Sequence, residues 1–374
     1  MRILFGLGVL LAVTACNNAS NSVGQRRHDA LCDATDANKA FGAAVCVCED
    51  MELVGAGLVA HSSSGATANV GINGVGHVVG HHDVSGSLVA MGGLTGTGRV
   101  DVGENLATTK DIEGVGAVSV QGNLMVGGTL TNVGRLDVKG MLGTPSDSML
   151  VGSSSIGSRG AYSAPAEPCG CAQPAVDVAA AIASAKGTAK PLGDMHTVGA
   201  SETTLSSGSY WVQDMSGVGK TTFIIDGAVA IYVQDTLREV GSQTFTVNPG
   251  ATLDLYVGNV ESVGALHFGE NADPGSVRLF IASEGTASVA VGSQKLNASI
   301  YAPKAELSLV GSTDISGAIF ARRLTGVGRL NVDYASPAQA ADEHCMPTDE
   351  TGGNSGNPPT GSEPSADAGS PGIN

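Results

Sequence analysis

The residues best suited to chemistry are seven cysteines and one histidine cluster. Cys16 follows Val13-Thr14-Ala15, at the end of an apolar run from Ile3 to Val13 that begins after Arg2. Such a run is too short to cross a bilayer and suits an export signal. Small residues before a cysteine at this cut look like a bacterial lipobox, in which the thiol is acylated and the cysteine becomes the new N-terminus. Acyl chains contribute about 0.8 kcal/mol per buried methylene, so several chains hold a protein firmly at a membrane. Asn17, not aspartate, follows. That context points to the outer membrane, on its periplasmic or its cell-surface face.

Six cysteines remain: Cys32, Cys46, Cys48, Cys169, Cys171 and Cys345. An even number in an exported chain suggests disulfides, with the connectivity left open. The two Cys-x-Cys pairs, Cys46/Cys48 and Cys169/Cys171, also offer a thiolate metal site, although Cys-x-x-Cys is the commoner hook.

His77, His81, His82 and Asp83 form the histidine cluster. Gly86-Ser87-Leu88 matches Gly122-Asn123-Leu124 at an offset of 36, while Gly76 matches Gly116 at 40. About four extra residues are therefore expected to bulge out here. Imidazoles and a carboxylate on such a loop suit zinc or copper. A solvated polar loop is the plainer reading.

Two carboxylates, Asp101 and Asp137, share an outward position two repeats apart, about 9.6 Å by strand spacing. That is the edge of the separation used by inverting glycosidases. A polysaccharide-active enzyme is therefore the alternative reading. Arg99 and Arg135 alternate with these acids, which reads as charge pairing, and Trp211 is the one tryptophan available as a sugar platform. Ser216-Gly217-Val218-Gly219-Lys220-Thr221-Thr222 imitates the end of a phosphate-binding loop. It has Asp214 where glycine is needed, and a strand-like Phe223-Ile224-Ile225 follows. No cofactor motif is found, so no cofactor is expected.

The elements that must position these groups are repeats. Gly114-Val115-Gly116-Ala117-Val118-Ser119-Val120 returns eighteen residues later as Asn132-Val133-Gly134-Arg135-Leu136-Asp137-Val138, and Gly96-Thr97-Gly98-Arg99-Val100-Asp101-Val102 precedes it by eighteen. Val100, Val118 and Leu136 share one position; Val102, Val120 and Val138 share another. Period-two alternation describes strands with one buried face. A unit this small must stack on copies of itself. The chain predicts an all-β fold, a parallel β-helix of about 18–23 residues per coil, with a β-sandwich as runner-up. In the second half, Gly217-Val218-Gly219, Val240-Gly241, Val263-Gly264, Val291-Gly292, Val310-Gly311 and Gly326-Val327-Gly328 recur at 17 to 28 residues.

Composition agrees. Glycine is 54 of 374 residues, aromatics are 4%, and the hydrophobic fraction is 42%, enough for a core of small side chains. The net charge of −16 argues against nucleic acid as a partner. The expected organisation is a signal peptide at 1–15, a lipidated tether at 16–30 and N-terminal repeats at 31–160. A Cys/Pro hinge at 161–200 follows, with one short helix near 175–187 to cap a stack or cover a sheet edge. A second β-helix at 201–336 and a disordered tail at 346–374 complete it. Whether the halves form one coil stays open.

Ala298 to Leu309, with Tyr301-Ala302-Pro303-Lys304-Ala305 at its centre, continues through Gly317-Ala318-Ile319-Phe320-Ala321 to Val332-Asp333-Tyr334. This resembles the Tyr-Ala-Pro-x-Ala signature of a β-helical domain family of unknown function from surface-associated bacterial proteins, including myxobacterial ones. The Cys-Gly-Cys before an alanine-rich helix resembles its lead-in. The resemblance covers about 165–335 and implies a fold and an extracytoplasmic setting, with no catalytic residues. The regular half is distantly similar to bactofilins, which are cytoplasmic, and the signal peptide argues against membership. The expected function is a non-enzymatic envelope lipoprotein, structural or adhesive. Its partners would be the membrane, an envelope protein, a glycan or further copies of itself.

Overall fold

The computed structural model describes residues 41–335, apart from 64, 146–148, 194, 263, 271, 273–274 and 292–293. The export signal, Cys16, Cys32, Cys345, the tether and the tail lie outside the described residues. Within them the chain forms one parallel-stranded solenoid of about 13 turns, and all twenty-two strands join in a single sheet. Among the described residues no helix is long and apolar enough to cross a membrane.

The order of coils in space differs from their order in sequence. The first strand, Val45–Val47, pairs on one side with Val70–Ile72 and on the other with Ile319, Phe320 and Ala321 near the end of the chain. Met51–His61 likewise lies between Gly76–Val84 and Ile319–Tyr334. The chain therefore enters at the middle of the stack and winds outward to Met149–Gly160. It then crosses back along the outside and winds inward from Met195–Val212 to finish beside its own start. Tyr334 Oη donates to the Phe41 carbonyl at 2.8 Å, joining entry and exit. The two halves are thus one continuous stack.

In the half built from 45–160, coils from Val70 to Leu142 repeat every eighteen residues in register. Val100, Val118 and Leu136 stack in one buried column, and Val102, Val120 and Val138 in its neighbour. In the half built from 195–334 the coils are longer and uneven. Phe223, Phe245 and Phe268 stack inside, their ring centroids 5.0 and 5.2 Å apart.

Among the described residues a glycine recurs from coil to coil at one corner. A side chain on Gly219 would lie 2.3 Å from the Gly199 carbonyl, and Gly241 and Gly264 repeat the contact upward. Gly219 also has φ +130°, which favours glycine. The coils can approach at this corner only without a Cβ.

The returning segment carries one helix, Val178–Ala185, whose N-cap Asp177 accepts from the Ala180 amide. Val178, Ile182 and Ala185 are its buried residues. The helix lies on the outer face of strands Met195–Val212, Met215–Val247 and Thr252–Ser262. It therefore covers a sheet face, and neither caps the stack nor covers an edge.

Candidate functional site

One outward column explains what the returning segment covers. Trp211, Tyr232, Tyr256, Phe280, Tyr301 and Phe320 occupy successive coils, and the column continues through Cys46 and Gly71. The rings of Tyr232, Tyr256 and Phe280 stack at 4.7 and 4.5 Å between centroids. An outward ladder of this kind needs a cover. The helix and the strap before it supply one. The strap is bolted where the aromatics end, by disulfides Cys46–Cys169 and Cys48–Cys171. The Cys-x-Cys pairs are thus two disulfides and not a thiolate metal site. Gly71 leaves the space, since a side chain there would meet Cys169 Sγ at 2.9 Å. Asn73 donates to Glu167 Oε1 at 2.6 Å and to the Cys169 carbonyl at 2.9 Å.

The Tyr-Ala-Pro-Lys-Ala segment is the strap's seat. Tyr301 Oη accepts from the Val176 amide at 3.3 Å. Clefts of about 310 and 350 Å³ flank the strap, the first bordered by Val176, Ile281, Pro303 and Lys304, the second by Cys46, Pro168, Tyr301 and Phe320. Asp177, at the first cleft, is already engaged as the helix cap. Beside the ladder Arg278 is buried in a two-pronged pair with Asp254, at 2.6 and 2.7 Å.

The histidine cluster does not converge. Gly76–Val84 pairs with Leu94–Val102 without a break, so no bulge exists. Gly80, not Gly76, is the equivalent of Gly98; the additional residues lie one coil earlier, between His61 and Val70. Strand alternation sends the neighbours apart. His82 fills the buried column above Val100, and neither ring nitrogen has a hydrogen-bond partner. Burial, reinforced by the charge of His81, pushes its pKa down to about 4. His81 is exposed and pairs with Asp101 at 2.7 Å. His77 meets Thr95 at 3.1 Å. Asp83 is exposed. Among the described residues no group of three or more His, Cys, Asp or Glu side chains is placed to hold a metal.

The two aspartates do share a column, with Ser119 between them. Asp101 is held by Arg99 at 2.6 Å as well as by His81, and Asp137 by Lys139 at 3.1 Å. The phosphate-loop imitation lies in the long strand Met215–Val247, with no helix behind it.

Two features were not anticipated. Glu239 is fully buried inside the bore, both carboxylate oxygens lack a hydrogen-bond partner, and burial pushes its pKa up to about 7. Gly217 makes room for it, since a Cβ there would lie 2.3 Å from Glu239 Oε2. The second is a ridge. The large hydrophobics exposed among the described residues are Val198, Val218, Val240, Val310 and Val327, at 87, 54, 48, 46 and 61% exposure. Each directly precedes a corner glycine, and the column continues through the half-buried Val54 and Val79. The recurring Val-Gly pairs were the signal for this ridge.

Fold and site together define a solenoid with a covered face, a strap and an aliphatic corner. Residues 167–339, which include the strap and the half of the stack built from 195–334, match a domain of unknown function (DUF7305). No curated protein matches the chain. A solved structure, an ice binding protein from an Antarctic bacterium Flavobacteriaceae, is 10% identical over 84% of this chain and 87% of that one. Its TM-score of 0.16 is too low for a shared fold to be inferred.

Proposed function

We propose that the protein is a non-enzymatic lipoprotein of the bacterial outer membrane, anchored through Cys16, whose solenoid serves as a structural or interaction rod. The observation that carries the interaction role is the ridge. The exposed large aliphatics among the described residues gather in one row along a corner, and organised apolar surface of this kind marks contact sites. The anchoring rests on Val13-Thr14-Ala15-Cys16 after a short apolar run. Two disulfides, which persist in oxidising compartments, support export.

Metabolic labelling with an alkyne analogue of palmitate, followed by membrane fractionation, tests the anchor. The full chain should take up label and sediment with the outer membrane, and Cys16→Ser should lose both. Unlabelled wild-type protein in the soluble fraction would remove the lipoprotein reading.

A further inference from the structure

The regularity of the valine ridge says what fits it. We infer that it is the contact surface between two copies of this chain, lying side by side and parallel. This rests on the reading of the protein as an interaction rod and not on its anchoring.

Three observations favour a second copy. The first is repeat distance. Val198, Val218 and Val240 sit on one corner in successive coils, and Val310, Val327, Val54 and Val79 sit on the same corner in four more. Neighbouring strands are about 4.8 Å apart, so the four valines from Val310 to Val79 alone extend about 14 Å. A partner that meshes with every valine needs the same repeat, and a second solenoid has it. The second is shape. Each valine is followed by a glycine of the corner ladder, as in Val218-Gly219 and Val327-Gly328, so a row of knobs runs beside a row without side chains. Such a surface is complementary to itself, as a two-fold interface requires.

The third is charge, which sets the direction. Arg329 lies two residues after its ridge valine and Glu52 two residues before its own, on opposite flanks of adjacent coils, and both are exposed. When two rods lie parallel about a two-fold axis along their length, each Arg329 flank faces the other copy's Glu52 flank. An antiparallel pair sets like flanks against each other.

Parallel pairing places every ridge residue opposite its own counterpart. Val198→Cys and Val327→Cys, made separately in the full chain and oxidised in intact cells, should each give a disulfide-linked homodimer. Glu284→Cys, exposed elsewhere, should not. Cross-linking at only one of the two ridge positions would overturn the parallel arrangement. Absence at both, or a cross-link to a different protein, would overturn the second copy as occupant. In light scattering, Val218→Asp with Val327→Asp should weaken dimerisation at least 100-fold with an unchanged thermal melt. Membrane retention in the same cells reports the anchor separately.

Discussion

The two halves of the stack solve one packing problem by different means. From Val70 to Leu142 each coil has eighteen residues, the bore is lined by aliphatic columns, and the outward faces carry short ion pairs such as Arg99 with Asp101. From Met195 to Tyr334 the coils vary, and aromatic rings stack both inside and outside. The inner column that holds Val100, Val118 and Leu136 in the first half mixes Thr221, Gln243, Gln294 and Thr313 with Leu266 and Leu330 in the second. The ridge crosses into the first half only as the half-buried Val54 and Val79 and then stops: Thr97 replaces valine, and Val115 and Val133 turn into the core. A coil of constant length registers itself, because every column repeats. An uneven coil needs an external template, and the strap with its aromatic seat is that template.

The largest test of this contrast is to release the strap. A disulfide closing a loop of about 100 residues stabilises by about 4.7 kcal/mol in the chain-entropy picture. Cys46–Cys169 and Cys48–Cys171 both span 123 residues and are adjacent, so the second closes little that the first has not. Cys169→Ser alone should therefore cost well under half as much as Cys169→Ser with Cys171→Ser, which should cost about 4–5 kcal/mol in urea denaturation. Hydrogen exchange should then rise across 223–281 and stay unchanged across 94–138. Equal loosening of both regions would break the comparison.

The second test uses pH. His82, in the regular half, has a folded pKa of about 4 against an ordinary 6.5. Between these values the unfolded chain holds a proton that the folded chain does not, so its contribution raises stability as pH rises through 4–6.5. Glu239, in the uneven half, has a folded pKa of about 7 against 4.5. Here the folded chain holds the additional proton, so its contribution lowers stability as pH rises through 4.5–7. The two contributions oppose each other where the windows overlap. Urea midpoints from pH 4 to 7.5 should rise with pH in Glu239→Gln and fall in His82→Leu. Parallel curves for the two variants would sink the assignment.

The smallest effect is expected on the outer face of the regular half. Asp137→Ala removes a surface pair with Lys139 and should change stability by less than about 1 kcal/mol, with the pair shrinking further in salt. A larger loss would mean that these outward charges, and not the buried columns, register the eighteen-residue coils.

What could be read from the sequence follows the same division. The columns through Val100 and Val102 were legible because an eighteen-residue offset finds them. The same offset places His82 on Val100, but anchoring the repeat on Gly76 in place of Gly80 hid it. The aromatic ladder was not legible, since Tyr232, Tyr256, Phe280, Tyr301 and Phe320 are separated by 24, 24, 21 and 19 residues. Nor was the junction, because no local pattern announces that Val45 will lie against Ile319. The Tyr-Ala-Pro segment stood out as a signature, but only the strap shows that Tyr301 is a seat.

Entry at the waist has a consequence for synthesis. Met51–His61 is made early, yet one of its two neighbours, the segment Leu324–Asp333, is among the last described residues to leave the ribosome. At about 5–20 residues per second the intervening chain takes roughly 15–50 s to appear. For that interval the nascent protein carries a bare strand edge, open to any extended peptide nearby. The order of translation thus sets a window in which a chaperone has something to protect.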